Sequence, residues 1–444
     1  MKNLLIISIC ILISACSKPS EKQFTVSGNI NNSKISIAEL ITSDTIYVDT
    51  IKNGCFTFTI PTTSEKYIDL KIGKKILLYV KPNDSVFVNY EDKNNFTFSG
   101  HGYAECEFLS KKKQLIKKLG FDDPRKIDIA LFSSDPQIFQ AKIDSVKQIQ
   151  LKLITDYKQQ YPEISDSFTH IEQQLIDYFV FNQLFLYPGF NEMLTKKQPK
   201  LSDNYYSFSK QIEPNKKELY SFNEYKSAIK SLLDLQTETF TEKYLLAKDM
   251  LTDCVFFEDI IYNEFISYIN FNGIDDIDSI CVSFINELTN SERKGNLKDK
   301  YDNWKKFAKG KKAPDFEIKD DKGGLVHLSD FKGKYVYIDC WSSYCGPCIA
   351  EMPAMKKLSD ELANKNIVFI SISADTDIER WLCKLKELDL NTVNLCTEGA
   401  NHNFNNDYNA KAFPRYILID KEGLIIDASA EKPSLIKERL EQLL

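Results

Sequence analysis

The rhythm of hydrophobic and polar positions divides this chain. Over residues 24–102 the two kinds alternate with a period of two, in runs such as Phe24-Thr25-Val26-Ser27-Gly28, Cys55-Phe56-Thr57-Phe58-Thr59-Ile60, Ile76-Leu77-Leu78-Tyr79-Val80 and Val86-Phe87-Val88-Asn89-Tyr90. A period of two sends successive side chains to opposite faces of a strand, and Asn53-Gly54 and Pro82-Asn83-Asp84 supply turns between the runs. A small antiparallel β domain, sandwich-like or barrel-like, is predicted. Over residues 103–304 the period becomes helical. Ile138, Ile143, Val146, Ile149, Leu153 and Tyr157 recur every three to five residues behind Ser134-Asp135-Pro136, a favourable helix start. Phe168, Ile171, Leu175 and Phe179 make a second stripe, and longer patterns cover 244–268 and 280–307. This predicts a domain of several antiparallel helices, with the aromatics Tyr178, Phe179, Phe181, Phe185 and Tyr187 in its core. A basic stretch of small residues at 305–312 reads as a linker. From 313 to 444 the pattern is α/β. Tyr335-Val336-Tyr337-Ile338-Asp339-Cys340-Trp341 is nearly continuous in apolar residues, as in a strand covered on both faces. A turn at Ser342-Ser343-Tyr344 then leads to a helix that runs to about residue 364.

Composition narrows the functional classes. The 444 residues are 43% hydrophobic and 12% aromatic, enough for several packed cores, and the formal net charge is −6. That balance gives no electrostatic footprint for nucleic acid. Residues 1–23 read as an export signal and tether. Lys2 precedes an apolar run from Leu4 to Ile13, about half the ~20 residues that a spanning helix needs. The run ends at Ile13-Ser14-Ala15-Cys16, which resembles a bacterial lipobox, so Cys16 is the expected lipidation site. The expected location is the cell envelope, facing the periplasm. The residue after Cys16 is not aspartate, which favours the outer over the inner membrane.

Eleven cysteines are scattered through the chain, and one pair has a spacing that suggests chemistry. Cys345-Gly346-Pro347-Cys348 opens a predicted helix. There, unpaired backbone N–H groups and the helix dipole favour a thiolate on Cys345, and Cys348 lies within reach to resolve a mixed disulfide. Half of a zinc site is the competing reading of such a pair. It needs a second pair of ligands, and Cys383, Cys396 and His402 have no partners at ligand spacing. No metal and no bound cofactor are expected: the redox group is the dithiol itself.

Residues 335–353 resemble the active-site segment of the thioredoxin superfamily, most closely the TlpA/ResA-type disulfide reductases. Ala313-Pro314-Asp315-Phe316 and Leu328-Ser329-Asp330-Phe331-Lys332-Gly333-Lys334 resemble the lead-in of that group, so the resemblance spans 313–444. It implies a C-terminal thioredoxin-like fold and further roles. Asp339, six residues before Cys345, would relay the proton of Cys348. Glu351, three residues after Cys348, would tune the pair. Ala412-Phe413-Pro414-Arg415-Tyr416 resembles the cis-proline strand opposite the cysteines. Tyr344, Gly346, Pro347, Phe413 and Pro414 would face substrate, with Trp341 assigned to the same set and packing beneath the site. Pro353 resembles the family's helix-kinking proline. The implied activity is reduction of disulfide-bearing proteins, recharged by a thiol donor in the membrane. Two alternatives stand beside it. A thiol peroxidase shares the Ala-Pro-Asp-Phe lead-in, although peroxiredoxins carry threonine where this chain has Ser342. In a binding or adaptor lipoprotein, the first three hundred residues would select a partner.

Overall fold

The computed structural model describes residues 22–444, apart from 32, 33, 44, 124, 125, 400 and 411. The export signal and Cys16 lie outside the described residues. The chain forms two compact units, residues up to 235 and residues 236–444. The helical region expected over 103–304 is therefore divided between them.

The first unit begins with eight strands: β1 (Gln23–Ile30), β2 (Ile37–Ile41), β3 (Ile46–Thr50), β4 (Cys55–Pro61), β5 (Lys66–Ile72), β6 (Lys74–Val80), β7 (Ser85–Tyr90) and β8 (Phe96–His101). They make two four-stranded sheets, in the orders β4-β1-β7-β8 and β3-β2-β5-β6. All pairs are antiparallel except β1 with β7. The period-two pattern explains the sandwich: Phe24, Val26, Leu40, Leu70, Leu78 and Val88 all turn into one core. Asn53 and Gly54 both have positive φ, as the tight turn into β4 requires.

Among the described residues, five α-helices and two short 3-10 helices complete this unit; the α-helices are α1 (Tyr103–Lys118), α2 (Ile129–Phe132), α3 (Pro136–Gln160), α4 (Asp166–Thr195) and α5 (Asn223–Gln236). Pro136 occupies the first turn of α3 behind Asp135. The stripe that α3 buries is Phe139, Ile143, Val146, Gln150 and Ile154, whereas Ile138 and Ile149 are exposed. The anticipated aromatic core holds at Tyr178, Phe181 and Tyr187, which are buried.

The second unit opens with α6 (Phe240–Met250), α7 (Cys254–Asn272), α8 (Asp278–Glu287) and α9 (Ser291–Lys306). The unbroken patterns read over 244–268 and 280–307 are each interrupted. Asp253 accepts hydrogen bonds from the N–H groups of Val255 and Phe256, and Asn290 accepts from those of Glu292 and Arg293. Each is an N-cap that starts a new helix within a continuing apolar pattern.

Residues 310–312 do not run as a free linker. The N–H of Gly310 donates to the Ile425 carbonyl and that of Ile425 to the Lys311 carbonyl, and Lys312 bridges Leu424. The remaining elements are β9 (Glu317–Asp320), β10 (Leu325–His327), β11 (Tyr335–Trp341), α10 (Gly346–Glu361), β12 (Ile367–Ser373), α11 (Ile378–Leu388), β13 (Val393–Cys396), α12 (Asn403–Asp407), β14 (Arg415–Ile419), β15 (Ile425–Asp427) and α13 (Lys437–Leu443). One mixed sheet has the order β10-β9-β13-β12-β11-β14-β15. Its central strand β11 is parallel to β12 and antiparallel to β14. Six of the seven β11 residues are buried, which accounts for the apolar run. Tyr337, Asp339 and Trp341 share one face of β11 by the strand period, and α10 covers that face: Met355 clusters with Tyr337, and Cys348 and Met352 cluster with Trp341.

Candidate active site

Cys345 is the N-cap of α10, with Pro347 in the first helical turn. Its sulfur accepts a hydrogen bond from the Cys348 N–H at 3.2 Å, so an orphan helical donor already points at the atom that would carry thiolate charge. The two cysteines form a disulfide, with Cα atoms 5.2 Å apart. Their exposure differs. Cys348 is 1% exposed, whereas Cys345 is partly accessible, and the intervening Gly346 and Pro347 are on the surface.

The second half of the site comes from the segment entering β14. The Phe413–Pro414 peptide is cis. The Phe413 side chain packs into the cluster formed by Trp341, Cys348, Met352, Trp381, Leu385 and Cys396, which Cys345 also joins. Phe413 and the cysteine pair are thus brought together from strands and helices far apart in sequence.

Trp341 has no exposed surface. It lies beneath the site and is removed from the set that substrate can touch. Tyr344 is the opposite case, 61% exposed directly before Cys345.

Asp339 is 2% exposed, and its Oδ1 meets no hydrogen-bond donor among the described residues. Burial is the main reason that its carboxyl titrates far above the usual range, at about 8, and the negative charge of Glu351 adds to the shift. Glu351 is itself held low: burial opposes ionisation, but Lys432 at 2.8 Å and the Ser434 N–H at 3.2 Å outweigh it. Glu351 therefore acts electrostatically on Asp339 from a fixed position.

Two charged groups here carry no motif in the sequence. Asp375, buried just past β12, gathers the turn before Cys345. It accepts from the hydroxyls of Ser342 at 3.1 Å and Ser343 at 2.8 Å, from the Ser343 N–H at 2.8 Å, and from the Ser373 hydroxyl at 2.5 Å. The Arg380 Nε donates to the Ser343 hydroxyl at 3.2 Å, and its guanidinium lies 3.6 Å from the centre of the Tyr344 ring. A polar residue ending an apolar strand is the one trace of Asp375 in the sequence.

Arg415, next to Pro414, is also buried. Its terminal nitrogens donate to the carbonyls of Asn409 and Ala428, and the guanidinium stacks over Trp304 of α9 at 4.3 Å. Burial pulls its pKa down to about 10. On the neighbouring strand, burial pushes the Cys340 thiol up to about 12. Cys340 is consequently a packed thiol.

Residues 308–444 match the Redoxin family model. The thiol-disulfide oxidoreductase ResA of Bacillus thuringiensis subsp. konkukian is 33% identical over 139 residues, covering 31% of this chain and 78% of that protein. The thioredoxin-like protein YneN of Bacillus subtilis is 32% identical over 140 residues, covering 31% of this chain and 79% of that protein. Among solved structures, a thiol-disulfide oxidoreductase from Bacteroides fragilis is 28% identical, covering 30% of this chain and 100% of that one, with a TM-score of 0.29. By its C-terminal domain, with a bonded cysteine pair at a helix start facing a cis-proline strand, this chain belongs to the ResA-type thiol-disulfide oxidoreductases of the thioredoxin-like proteins.

Proposed function

We propose that the chain works as a reductase of protein disulfides outside the cytoplasm, with Cys345 as nucleophile and Cys348 as resolving thiol. The observation that carries this reading is the asymmetry of the pair: a partly accessible sulfur at the helix start beside one that is 1% exposed. In the reduced protein, the Cys345 thiolate attacks one sulfur of a substrate disulfide. A mixed disulfide forms and the other substrate sulfur leaves as thiolate. Cys348 then loses its proton and attacks the Cys345 sulfur, which releases the second substrate thiolate and closes the Cys345–Cys348 bond. Two electrons pass to substrate, carried by the two sulfurs without a bound cofactor. A membrane thiol donor returns them. Asp339 is the group that takes the Cys348 proton. Its pKa of about 8, far above the usual carboxylate range, makes it a stronger base than an ordinary aspartate and so better matched to a thiol proton. Phe413, at the cis peptide, offers backbone pairing to an extended substrate, alongside Tyr344, Gly346, Pro347 and Pro414.

Replacing Cys348 by Ser removes the resolving step, so mixed disulfides on Cys345 should accumulate in cells. Their capture and identification by mass spectrometry tests the reading. Failure to trap any protein through Cys345, while the unaltered chain reduces disulfides, would overturn the assignment of nucleophile.

The membrane part of the proposal rests on residues 1–23. Among the described residues no helix is long and apolar enough to cross a membrane. Lipidation at Cys16 would provide attachment to the outer membrane, since the several acyl chains of a lipoprotein N-terminus suffice for stable anchoring. The unaltered protein should sediment with membranes and Cys16→Ser should not. Fractionation of both, with the mass of the mature N-terminus, decides it.

A further inference from the structure

We propose that Arg380 is a specificity residue of the exchange site, and that the preferred substrates are polypeptides with an acidic side chain next to the attacked cysteine. The inference rests on the protein-disulfide reading above and names the class of substrate.

Arg380 sits in the first turn of α11, where the Asp377 side chain accepts its N–H at 3.0 Å. A cation there opposes the helix dipole, so helix stability does not account for it. The guanidinium is turned towards the cysteine motif. Nε is tied to the Ser343 hydroxyl, and the planar face covers the ring of Tyr344, the exposed residue that precedes Cys345. Asp375 makes this arrangement definite. Its buried carboxylate takes up the Ser342 and Ser373 hydroxyls and both polar groups of Ser343, fixing the turn on which Arg380 leans.

Asp377 and Glu379 lie on the same helix turn as Arg380, yet among the described residues no carboxylate forms an ion pair with its guanidinium and its two terminal nitrogens donate no hydrogen bond. An exposed guanidinium with a fixed plane and unused N–H groups is the donor that matches a carboxylate in bidentate fashion. Its place beside Tyr344 sets that recognition one residue from the nucleophile. A substrate strand lying between Phe413 and Tyr344 would present a side chain to it.

The test uses the full chain, reduced beforehand, and two synthetic peptides closed by an internal disulfide. They differ in one residue next to the attacked cysteine, Glu in one and Lys in the other. The rate of thiol release should favour the Glu peptide by about fivefold, the scale of one solvent-exposed charge contact. The preference should shrink with added salt. Arg380→Gln should abolish it, Arg380→Glu should invert it, and Arg380→Lys should keep its sign. Equal rates with the unaltered chain, or a preference that survives in Arg380→Gln, would overturn the inference while leaving the exchange chemistry intact. Failure to reduce either peptide would instead remove the reductase reading on which it stands.

Discussion

Asp339 ionises at a cost to the fold that surrounds it. Its carboxyl titrates near 8, against an ordinary value of 3.8, because burial penalises the charge and Glu351 adds repulsion. The folded chain therefore holds this proton over a range where the unfolded chain has released it. Stability should fall as pH rises from about 4 to about 8 and level off above. Asp339→Asn removes that loss. Urea unfolding of the oxidised protein should find the variant more stable than the unaltered chain by about 3–5 kcal/mol at pH 8.5, with the difference vanishing towards pH 4. Parallel pH dependences of the two would refute the assignment. Glu351→Gln removes the second cause and should draw the Asp339 transition below 8. At this scale the cysteine pair was legible from its spacing, while Asp339 and Glu351 were reached through the family resemblance by their offsets from Cys345 and Cys348, and Pro414, whose peptide is cis, through the resemblance of residues 412–416. Asp375 and Arg380 were not. Their roles depend on β12 lying beside β11, and no local pattern encodes which side chains meet across that pairing.

Helix α9 shows how an element acquires a role that its own sequence hides. Its pattern is mostly polar, and Leu297 and Trp304 are its buried residues. Trp304 provides the surface over which the buried Arg415 lies, directly after the cis-proline. Gly273, the C-cap of α7 at φ 79°, allows this fit, because a Cβ there would come within 2.9 Å of the indole. Trp304→Ala should cost about 3–5 kcal/mol by denaturant unfolding, as for other buried large-to-small changes. It should also slow disulfide exchange, because the segment that carries Phe413 into β14 loses its support. A variant as stable as the unaltered chain would show that the stacking contributes nothing. Strands were easier to read than these helices. Alternation located β1, β4 and β7, since each buries one face, and β6, whose end buries both. In α3 the expected stripe held at Ile143 and Val146 but took in Ile138 and Ile149, which are exposed, because an exposed isoleucine looks the same in sequence as a buried one.

Across the molecule, the described cysteines fall into classes by exposure. Cys345 and Cys348 are bonded, Cys106, Cys281, Cys340 and Cys396 are buried, and Cys55, Cys254 and Cys383 are exposed. Burial pushes the thiols of Cys106, Cys281 and Cys340 up to about 12, so they stay protonated at neutral pH. Among the described cysteines, alkylation of the native oxidised chain should mark Cys55, Cys254 and Cys383. Prior reduction should add Cys345 ahead of Cys348. Peptide mass spectrometry gives the readout, and labelling of Cys106 or Cys281 in the folded chain would contradict it. The succession of β, helical and α/β regions was legible because each has its own hydrophobic period. The division at residue 235 was not, since both units contribute helices and periodicity does not say which core a helix joins. Nor did the polar stretch at 305–312 reveal its pairing with β15. That pairing bears on solubility. The seven-stranded sheet ends in β15 on one side, where residues 310–312 cover the edge, and in the three-residue β10 on the other. Long open edges invite strands from other molecules, and this sheet presents none. A proteolytic cut just before Ala313 would strip the cover from β15 and take Trp304 from beneath Arg415, so the piece left behind should exchange disulfides more slowly than the full chain.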